Sequence, residues 1–402
     1  MELTSGAKPL DGVRITDFTL HQAGPYSTHF LAVLGAQCIK IESSQRPDTH
    51  RKAHPVYGRL EPSDFDQANS EKLSVTLNLK TDEGKSLAKR LVSVSEIAAE
   101  CFRPGVMERL GLSYEVLSAL RPDLVMLSVS ASGQVGPEHE DRGYAPIFSA
   151  VGGLAELTGY ADGPPVEIRN TMDNVTGLSS TFAVLAALYK ARRTGVGEHV
   201  DLAAREVASA FIGDALAASS TGVHVARSSN EMPFLAPHGV YPCRGTDEWI
   251  TISVANDEEW RALCETLGES DWTSAEEFSD ADSRWLNRQA LDVVIGEGTR
   301  REDAWDLTYR MQAAGVKAFK SVNARDVAQD RHLRARGTIR DGRGETAPER
   351  AIVSSPWRFS ATPVRVERWM PQLGEHNEFV FGEILGLSKA EIERLVDDGV
   401  ID

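Results

Sequence analysis

The stretch from Val13 to Glu42 decides the fold class of this chain. It begins with the β-branched run Val13-Arg-Ile-Thr-Asp-Phe18, continues through an amphipathic segment at residues 26–35, and ends with Gln37-Cys-Ile-Lys-Ile-Glu42. Strand, helix and strand in this order are typical of a βαβ unit, whose two strands lie parallel in one sheet. We therefore predict an open α/β domain whose ligand site lies outside the carboxyl ends of its strands.

The same alternation continues through the first half of the chain. Further β-like runs lie at residues 73–77, 95–100 and 124–130, and helical patterns lie at 82–92, 104–120, 174–193 and 203–218. A polar segment rich in helix breakers follows at 219–234 and is the best linker candidate. Beyond it, a strand pattern at 249–254 and helical patterns at 257–267 and 301–314 predict a smaller α+β domain.

The composition excludes several classes of protein. The 402 residues carry 59 acidic and 43 basic side chains, a formal charge of −16, which argues against non-specific nucleic-acid binding. The apolar run Phe182–Tyr189 is far shorter than the roughly 20 residues that a membrane-spanning helix needs. Residues 1–17 carry Glu2 and Asp11 and contain no apolar run, so no secretory signal peptide is predicted.

The cysteines and histidines indicate neither a disulfide framework nor a metal site. The four cysteines are widely separated and form no CxxC pair, and the ten histidines include no HExxH string. The four cysteines are Cys38, Cys101, Cys243 and Cys264. We therefore expect a cytoplasmic protein that holds no metal ion.

The common nucleotide and hydrolase motifs are missing from the sequence. Neither GxGxxG nor a P-loop follows a predicted strand, and no GxSxG precedes a helix. Instead the first strand runs into Gln22-Ala-Gly-Pro25, a tight turn that can bring backbone N–H groups to a ligand. Basic side chains also fall at the predicted strand–helix junctions, namely Lys72, Lys80, Arg103, Arg109 and Arg142.

Asp173 immediately precedes the strongest helical pattern, in the string Asp173-Asn-Val-Thr-Gly177. Aspartate is a preferred helix N-cap, and capping alone explains an acid at this position. The same helix start offers unpaired N–H groups and a positive potential, which keep a carboxylate ionised and stabilise charge on a substrate. The residue pattern alone leaves both interpretations open.

Several strings, taken together and in order, resemble the class III CoA-transferases. This is the CaiB/BaiF family, which includes formyl-CoA, carnitine and benzylsuccinate CoA-transferases, and the resemblance covers nearly the whole chain. The strings are Pro9 to Phe18 running into Gln22 to Pro25, Leu34 to Glu42, Leu77 to Gly84, Glu100 to Gly111, Thr158 to Pro165, Lys190 to Asp201, His332 to Gly337, and Gly374 to Asn377.

The resemblance implies a fold and a reaction. The fold is α/β, with a large Rossmann-like parallel-sheet domain at residues 1–218 completed by 335–402, and with linkers and a smaller α+β domain at 219–334. Two protomers interlock, either as a homodimer or with a related subunit. The reaction moves CoA from an acyl-CoA, such as succinyl-CoA, to a carboxylic acid through aspartyl anhydride and aspartyl-CoA thioester intermediates. CoA thus enters as substrate and product, and neither a nucleic acid nor a membrane is implied as a partner.

The resemblance also assigns site residues by position. The family nucleophile is the Asp of a D-x-x-T-G string, which here is Asp173. The CoA contacts fall on Gln22, Ala23, Leu77, Asn78, Leu79, Lys80, Cys101, Phe102, Arg103, Arg109 and Arg142. His238 and Gly239 stand where formyl-CoA transferase has a glycine-rich loop over its active site, so we expect them on the substrate side.

The sequence departs from formyl-CoA transferase at three places. Ser43 replaces an Arg, Cys101 replaces an Asn, and the loop at 235–241 replaces the glycine-rich loop. This loop and the string at 159–165 look closer to members that handle larger acids, such as aryl- or alkyl-succinates. The acid pocket is expected from loops such as residues 50–60 and 235–241.

Two alternatives stay open at this point. An acyl-CoA racemase or isomerase shares the fold, but it needs a His in a GHDxNY string where this chain has Arg142-Gly-Tyr-Ala-Pro-Ile147. A CoA-binding subunit of a heteromeric CoA-transferase is the other alternative. The presence of Asp173 argues against an inert subunit but not against a mixed oligomer.

Overall fold

The strands of the chain form three sheets within residues 7–52, 63–342 and 350–402, which are the residues that this computed structural model describes. In chain order the strands are β1 (Arg14–Asp17), β2 (Gln37–Glu42), β3 (Leu73–Thr76), β4 (Ile97–Glu100), β5 (Val125–Ser130), β6 (Glu198–Ala203), β7 (His238–Pro242), β8 (Trp249–Ser253), β9 (Lys317–Lys320), β10 (Ile339–Gly342) and β11 (Arg350–Val353). Strands β1 to β6 form one parallel sheet, β7 to β9 an antiparallel sheet, and β10 and β11 an antiparallel pair.

Helices connect these strands. In chain order they are α1 (Ala23–Val33), α2 (Ser63–Asn69), α3 (Asp82–Ser93), α4 (Val106–Arg109), α5 (Tyr114–Leu120), α6 (Ala145–Val151), α7 (Thr171–Thr194), α8 (Ala204–Ala210), α9 (Gly213–Ser220), α10 (Asp257–Leu267), α11 (Ala281–Leu286), α12 (Arg288–Thr299), α13 (Ala304–Ala313), α14 (Ala324–Gln329), α15 (Arg331–Arg336) and α16 (Lys389–Asp397). A π-helical segment, Glu378–Ile384, precedes α16. No helix of the described residues is long and apolar enough to cross a membrane.

The chain divides into two compact units. The first unit comprises residues 1–155, 167–223 and 330–402, so it contains both ends of the chain and the six-stranded sheet. The second unit comprises residues 156–166 and 224–329, and it contains β7 to β9 with the helices α10 to α14.

The strand order of the large sheet is β3-β2-β1-β4-β5-β6, and every neighbouring pair is parallel. Ile15 of β1 lies opposite Cys38 of β2 on one side and Ile97 of β4 on the other. The order therefore reverses at β1, and the loops after β1 and β4 leave the sheet in opposite directions. A doubly wound sheet opens its ligand crevice at such a switch point, so the predicted α/β fold is confirmed.

Both faces of this sheet are covered, which is why its strands read as apolar runs. Ile15 and Leu127 face one cluster, where Leu31 of α1 and Leu188 of α7 pack on them. Alternate strand residues such as Ile39, Val75 and Met126 face a second cluster, which contains Leu91 of α3 and Leu117 of α5. Because side chains alternate across a strand, neighbouring residues supply the two faces.

Two predicted helices differ in the structure, and one strand was not predicted. The helix expected over 104–120 is two helices, α4 and α5, because Gly111 adopts a left-handed φ of 67° between them. The helix expected over 203–218 is likewise two, α8 and α9, separated at Phe211 and Ile212. Strand β6 was not expected, since it is an edge strand with His199 and Asp201 exposed, so its sequence lacks the apolar run of the buried strands.

A buried ion pair lies beneath the turn that joins β1 to α1. Lys72 Nζ donates to Asp17 Oδ2 at 3.0 Å, to the Pro25 carbonyl at 2.9 Å and to Thr28 Oγ1 at 2.8 Å. Both charged side chains are fully buried. Burial alone would raise the pKa of Asp17, but the nearby ammonium groups of Lys72 and Lys40 and the hydrogen bonds from Thr19 hold it below its usual value. Lys72 therefore fixes the chain and is not available to a ligand.

Replacing Lys72 with Met leaves the Asp17 carboxylate buried without its main cation. We expect the variant to lose about 3–5 kcal/mol of unfolding free energy, the usual effect of removing one member of a buried pair. Urea denaturation followed by circular dichroism measures this loss. Lys190→Met is the control, because the Lys190–Glu198 pair at 2.5 Å is exposed and contributes less than about 1 kcal/mol. Equal losses in the two variants would contradict this role of Lys72.

Candidate active site

The predicted ligand contacts come together at the carboxyl edge of the large sheet. Residues 22–23 follow β1, residues 77–80 follow β3, residues 101–103 follow β4, and Arg142 lies between β5 and α6. Parallel strands place their carboxyl ends at one edge, so these loops share that edge. The loops after β1 and β4 flank the switch point itself.

The loops after β1 and β4 are joined at Cys101. Its sulfur accepts a hydrogen bond from Leu20 N at 3.1 Å and donates to Leu20 O at 3.2 Å. The contact is tight, since a Cβ added at Gly24 would lie 3.0 Å from the Cys101 Cβ. Burial raises the pKa of the Cys101 thiol to about 12, so it stays protonated and serves to hold the two loops together.

Phe102 and Arg103 continue the loop after β4. The Phe102 N–H donates to Glu100 Oε2 at 2.7 Å, and the Phe102 ring packs against one face of the sheet. Burial raises the pKa of Glu100 to about 7. The exposed Arg103 side chain follows this fixed turn.

Gln22 and Ala23 meet the first turns of α7. Gln22 Nε2 donates to Asn174 Oδ1 at 3.1 Å, so the turn before α1 is tied to the residue next to Asp173. Gly177 allows this approach, because a Cβ there would lie 2.9 Å from Ala23 O and 3.0 Å from Tyr26 Cβ. The structure therefore brings Gln22, Ala23 and the Asp173 segment together.

Asp173 is the third residue of α7 and does not precede it as the sequence predicted. The helix begins at Thr171, and its N-cap is Asn170, which has a left-handed φ of 50° and makes no side-chain capping bond. The interpretation of Asp173 as an N-cap is therefore wrong, and its carboxyl forms no hydrogen bond with another described residue.

The Asp173 carboxyl is less acidic than an ordinary aspartate. Burial and, to a smaller extent, the negative charge of Glu167 raise its pKa from 3.8 to about 6. The helix start therefore does not bring this pKa below its usual value, although a carboxyl with a pKa of about 6 is still mostly ionised at neutral pH. The side chain is half-buried, and Glu167 Oε1 beside it is buried without a hydrogen-bond partner among the described residues.

The segment 77–80 is built against the end of the chain. Asn78 N donates to Val400 O at 2.8 Å and Asn78 Nδ2 donates to Gly399 O at 3.2 Å. The Leu77 side chain is buried and Leu79 packs against the core, so a ligand would meet these residues mainly through their backbone. Lys80, whose N–H donates to Asn78 Oδ1 at 3.1 Å, directs an exposed side chain from this loop.

Four predicted cations lie exposed around this edge. They are Lys80, Arg103, Arg109 at the end of α4, and Arg142. None of the four side chains forms an ion pair or a hydrogen bond with another residue of the described ranges. They differ from Lys72, which is buried and fully bonded, and they are free to bind an anion.

His238 and Gly239 belong to the second unit. They open β7, within the segment 235–241 that was expected to be a loop, and His238 pairs with Ser253 of β8. His238 Nδ1 lies 3.0 Å from Ser253 Oγ, and a Cβ on Gly239 would lie 3.0 Å from the Tyr241 hydroxyl. Buried Arg284 donates to Ala236 O at 3.2 Å and so anchors the preceding loop.

The sequence reasoning missed a cluster of side chains near Gln22. His21, Thr49, His50 and Tyr144 come from the loops after β1, β2 and β5. His21 Nδ1 lies 2.9 Å from Thr49 Oγ1, and its ring makes edge contacts with His50 and Tyr144. The one prediction that concerned this cluster was that residues 50–60 help to form the acid pocket. Residues 53–60 of that loop lie outside the described residues. Across the described part of the chain, no group of three or more His, Cys, Asp or Glu could hold a metal ion.

Comparison with known proteins identifies the relatives of this chain. Residues 10–377 match the model of CoA-transferase family III. The succinyl-CoA–D-citramalate CoA-transferase of Chloroflexus aurantiacus is 32% identical over 400 residues, which are 98% of each chain. The beta subunit of the succinyl-CoA–L-malate CoA-transferase of the same organism is 31% identical over 409 residues, covering both chains completely.

A solved structure agrees with this result. The crystal structure of a CAIB/BAIF family protein from Brucella suis superposes with a TM-score of 0.87 and 31% sequence identity. The match covers 94% of this chain and all of that one.

The raised pKa of Asp173 predicts a pH-dependent change in stability. The folded chain holds this proton more tightly than the unfolded chain. The free energy of unfolding therefore falls as the pH rises from about 4 to about 6, and it stays lower at every higher pH. Asp173→Asn removes that cost, and we expect it to gain up to about 3 kcal/mol of unfolding free energy at pH 8. The gain at pH 5 is smaller.

Urea denaturation at the two pH values measures this difference. Asp162→Asn, at an exposed position, is the control and should change stability at neither pH. A loss of stability in Asp173→Asn at pH 8 would show that the carboxylate is stabilised in the folded chain.

Proposed function

Because the chain belongs to CoA-transferase family III, we propose that it transfers CoA from succinyl-CoA to a carboxylic acid with Asp173 as the nucleophile. The chain is an enzyme of this class, and both named CoA-transferases above use succinyl-CoA. The observation that carries the proposal is the position of Asp173, half-buried beside the Gln22–Asn174 hydrogen bond at the carboxyl edge of the sheet.

The properties of Asp173 suit attack on a thioester. A pKa of about 6 leaves the group mostly ionised at neutral pH, and it is a stronger base than an ordinary aspartate. Partial burial also limits the water around it, which matters because an anhydride or a thioester hydrolyses when water reaches it. No hydrogen bond to a described residue has to be broken before the carboxylate reacts.

The proposed reaction has two halves. An Asp173 oxygen attacks the acyl carbonyl of the donor, the C–S bond breaks, and CoA leaves as a thiolate, which gives a mixed anhydride. The thiolate then attacks the aspartyl carbonyl and expels the donor acid as a carboxylate, which leaves CoA on Asp173 as a thioester. The acceptor carboxylate then attacks that thioester, which releases the thiolate and gives a second mixed anhydride. The thiolate attacks the acceptor's carbonyl carbon in this anhydride, which forms the new acyl-CoA and expels Asp173 as a carboxylate. Carboxylate and thioester are conserved overall, so the exchange needs no ATP.

The CoA contacts are proposed at the carboxyl edge described above. CoA carries several phosphate charges. The cations at this edge that form no ion pair among the described residues are Lys80, Arg103, Arg109 and Arg142. Turns lie between these cations, at Gln22, Ala23 and residues 77–79 and 101–102. We propose that their backbone N–H groups bind CoA, as the N–H groups of helix starts and tight loops bind phosphates in other proteins. His238 and Gly239 are proposed on the substrate side, and the free cysteines agree with a cytoplasmic setting.

Asp173→Ala should lower CoA transfer by at least about a thousandfold while leaving CoA binding intact, because only the nucleophile is removed. Exchange of labelled succinate into succinyl-CoA measures transfer, and calorimetry measures CoA binding. Hydroxylamine added with succinyl-CoA should inactivate the wild type and leave a hydroxamate on the peptide that contains Asp173. Exchange by Asp173→Ala at the wild-type rate, or a hydroxamate on another residue, would contradict the mechanism.

The exposed face of α7 supports an oligomer. Leu178, Phe182 and Tyr189 lie four and seven residues apart on one face, and 40%, 77% and 64% of their surfaces are exposed. Contiguous exposed apolar side chains on a helix usually mark a protein interface. We propose that this face packs on a second copy, or on a related subunit as the heteromeric malate enzyme of C. aurantiacus suggests.

Phe182→Glu places a charge in that face, so we expect the purified chain to move from dimer to monomer in light scattering coupled to size exclusion. Leu286→Glu is the matched control, because Leu286 is also 77% exposed but lies in the second unit. A dimer that persists in Phe182→Glu would place the interface elsewhere. A wild-type chain that is monomeric and inactive alone would favour the heteromeric alternative.

A further inference from the structure

Three loops bring two imidazoles and a phenol together beside Gln22. The ring of His21 lies 6.3 Å from that of His50 and 5.8 Å from that of Tyr144, with both partners edge-on at 80°. His21 has a left-handed φ of 66°, which turns its side chain away from the regular course of the loop. His50 is the middle residue of the short helical turn Thr49–Arg51, whose N-cap is Asp48.

The cluster has unused hydrogen-bonding capacity. His50 Nδ1 is buried and has no hydrogen-bond partner among the described residues. His21 Nδ1 is bonded to Thr49 Oγ1 at 2.9 Å, and its Nε2 has no partner in the described part of the chain. Buried polar atoms are normally paired, so a polar ligand is the expected partner of His50 Nδ1.

The acids nearest to this cluster are already neutralised. Asp48 Oδ2 accepts from Lys40 Nζ at 3.2 Å, while its Oδ1 accepts from the backbone N–H groups of His21 and His50 at 3.3 and 3.0 Å. Glu42 is held by Arg51 through a pair of bonds of 2.8 and 2.6 Å. The two imidazoles therefore face no free carboxylate among the described residues.

The cluster lies close to the proposed nucleophile. His21 precedes Gln22, Gln22 Nε2 is bonded to Asn174 Oδ1 at 3.1 Å, and Asn174 follows Asp173. Each histidine-to-glutamine or asparagine-to-aspartate step is one Cα spacing of about 3.8 Å. An acyl group attached at Asp173 would therefore lie beside the segment of Gln22, and this segment also carries His21.

We propose that His21 and His50 form a receptor for the distal carboxylate of a dicarboxylic acyl group and so make the enzyme selective for dicarboxylic acids. This inference rests on the proposed CoA-transferase function. One carboxyl group of the acid would react at Asp173, and the other would accept hydrogen bonds from the two imidazoles.

The electrostatics of the pocket agree with an anionic ligand. Burial lowers the pKa of His21, and the carboxylate of Asp48 only partly offsets this, while His50, Lys40 and Arg46 lower it further. This direction favours the neutral form of His21, which avoids an uncompensated buried charge. A carboxylate bound at His21 would favour the protonated form of this residue, so ligand and proton would bind together there.

The test compares acids that differ only in the distal carboxyl group. Wild type and variants are assayed with succinyl-CoA against succinate and glutarate on one side and butyrate and valerate on the other. His50→Leu removes the ring nitrogens, and His50→Gln keeps a hydrogen-bond donor. His21→Asn removes the ring at a left-handed position that Asn tolerates. His224→Ala, at an exposed position in the second unit, is the control.

We expect His50→Leu and His21→Asn to raise the KM for the dicarboxylic acids at least tenfold and to change that for the monocarboxylic acids less than twofold. His50→Gln should recover part of the loss, and His224→Ala should match the wild type. Equal effects on both kinds of acid would overturn the receptor, as would a wild type that prefers butyrate. Those results would leave the CoA-transferase proposal standing, whereas a wild type that transfers CoA to no acid would overturn both.

Discussion

The buried pair of Lys72 and Asp17 is the constraint on which the first unit depends. Asp17 ends the central strand β1, and Lys72 precedes the edge strand β3, so the pair ties the centre of the sheet to its margin. The same ammonium holds the Pro25 carbonyl and the Thr28 hydroxyl in α1. If either side chain moved away, the other charge would stay buried without its partner. The pair therefore holds the β1–α1 turn in one geometry.

That geometry determines the surroundings of Asp173. The turn presents Gln22 to Asn174, and the absence of a side chain at Gly177 lets α1 lie close against α7. Asp173 is thereby held in a half-buried place beside Glu167, which raises its pKa to about 6. A carboxyl with this pKa is ionised at neutral pH but retains more basicity than an exposed aspartate, which favours attack on a carbonyl carbon.

The features that could be predicted from the sequence are those that depend on residues close together in the chain. The buried strands appeared as apolar runs, and the resemblance of ordered strings led to Asp173. The sequence did not reveal that Lys72 is buried, because its partners come from three separate segments, Asp17, residues 25–28 and Asn69. The pairing of His21 with His50 was invisible for the same reason. The position of Asp173 in its helix was missed by three residues, since Asn170 starts the helix without a capping bond.

The charge distribution resolves an apparent conflict between an acidic protein and an anionic substrate. A formal charge of −16 repels CoA at long range, but salt screens exposed charges beyond about 8 Å at physiological ionic strength. Glu42 and Asp48 are paired with Arg51 and Lys40, whereas Asp173 and its neighbour Glu167 form no ion pair among the described residues. Lys80, Arg103, Arg109 and Arg142 have no such partners among the described residues. These four exposed cations therefore supply local positive charge that the formal charge of −16 does not reveal.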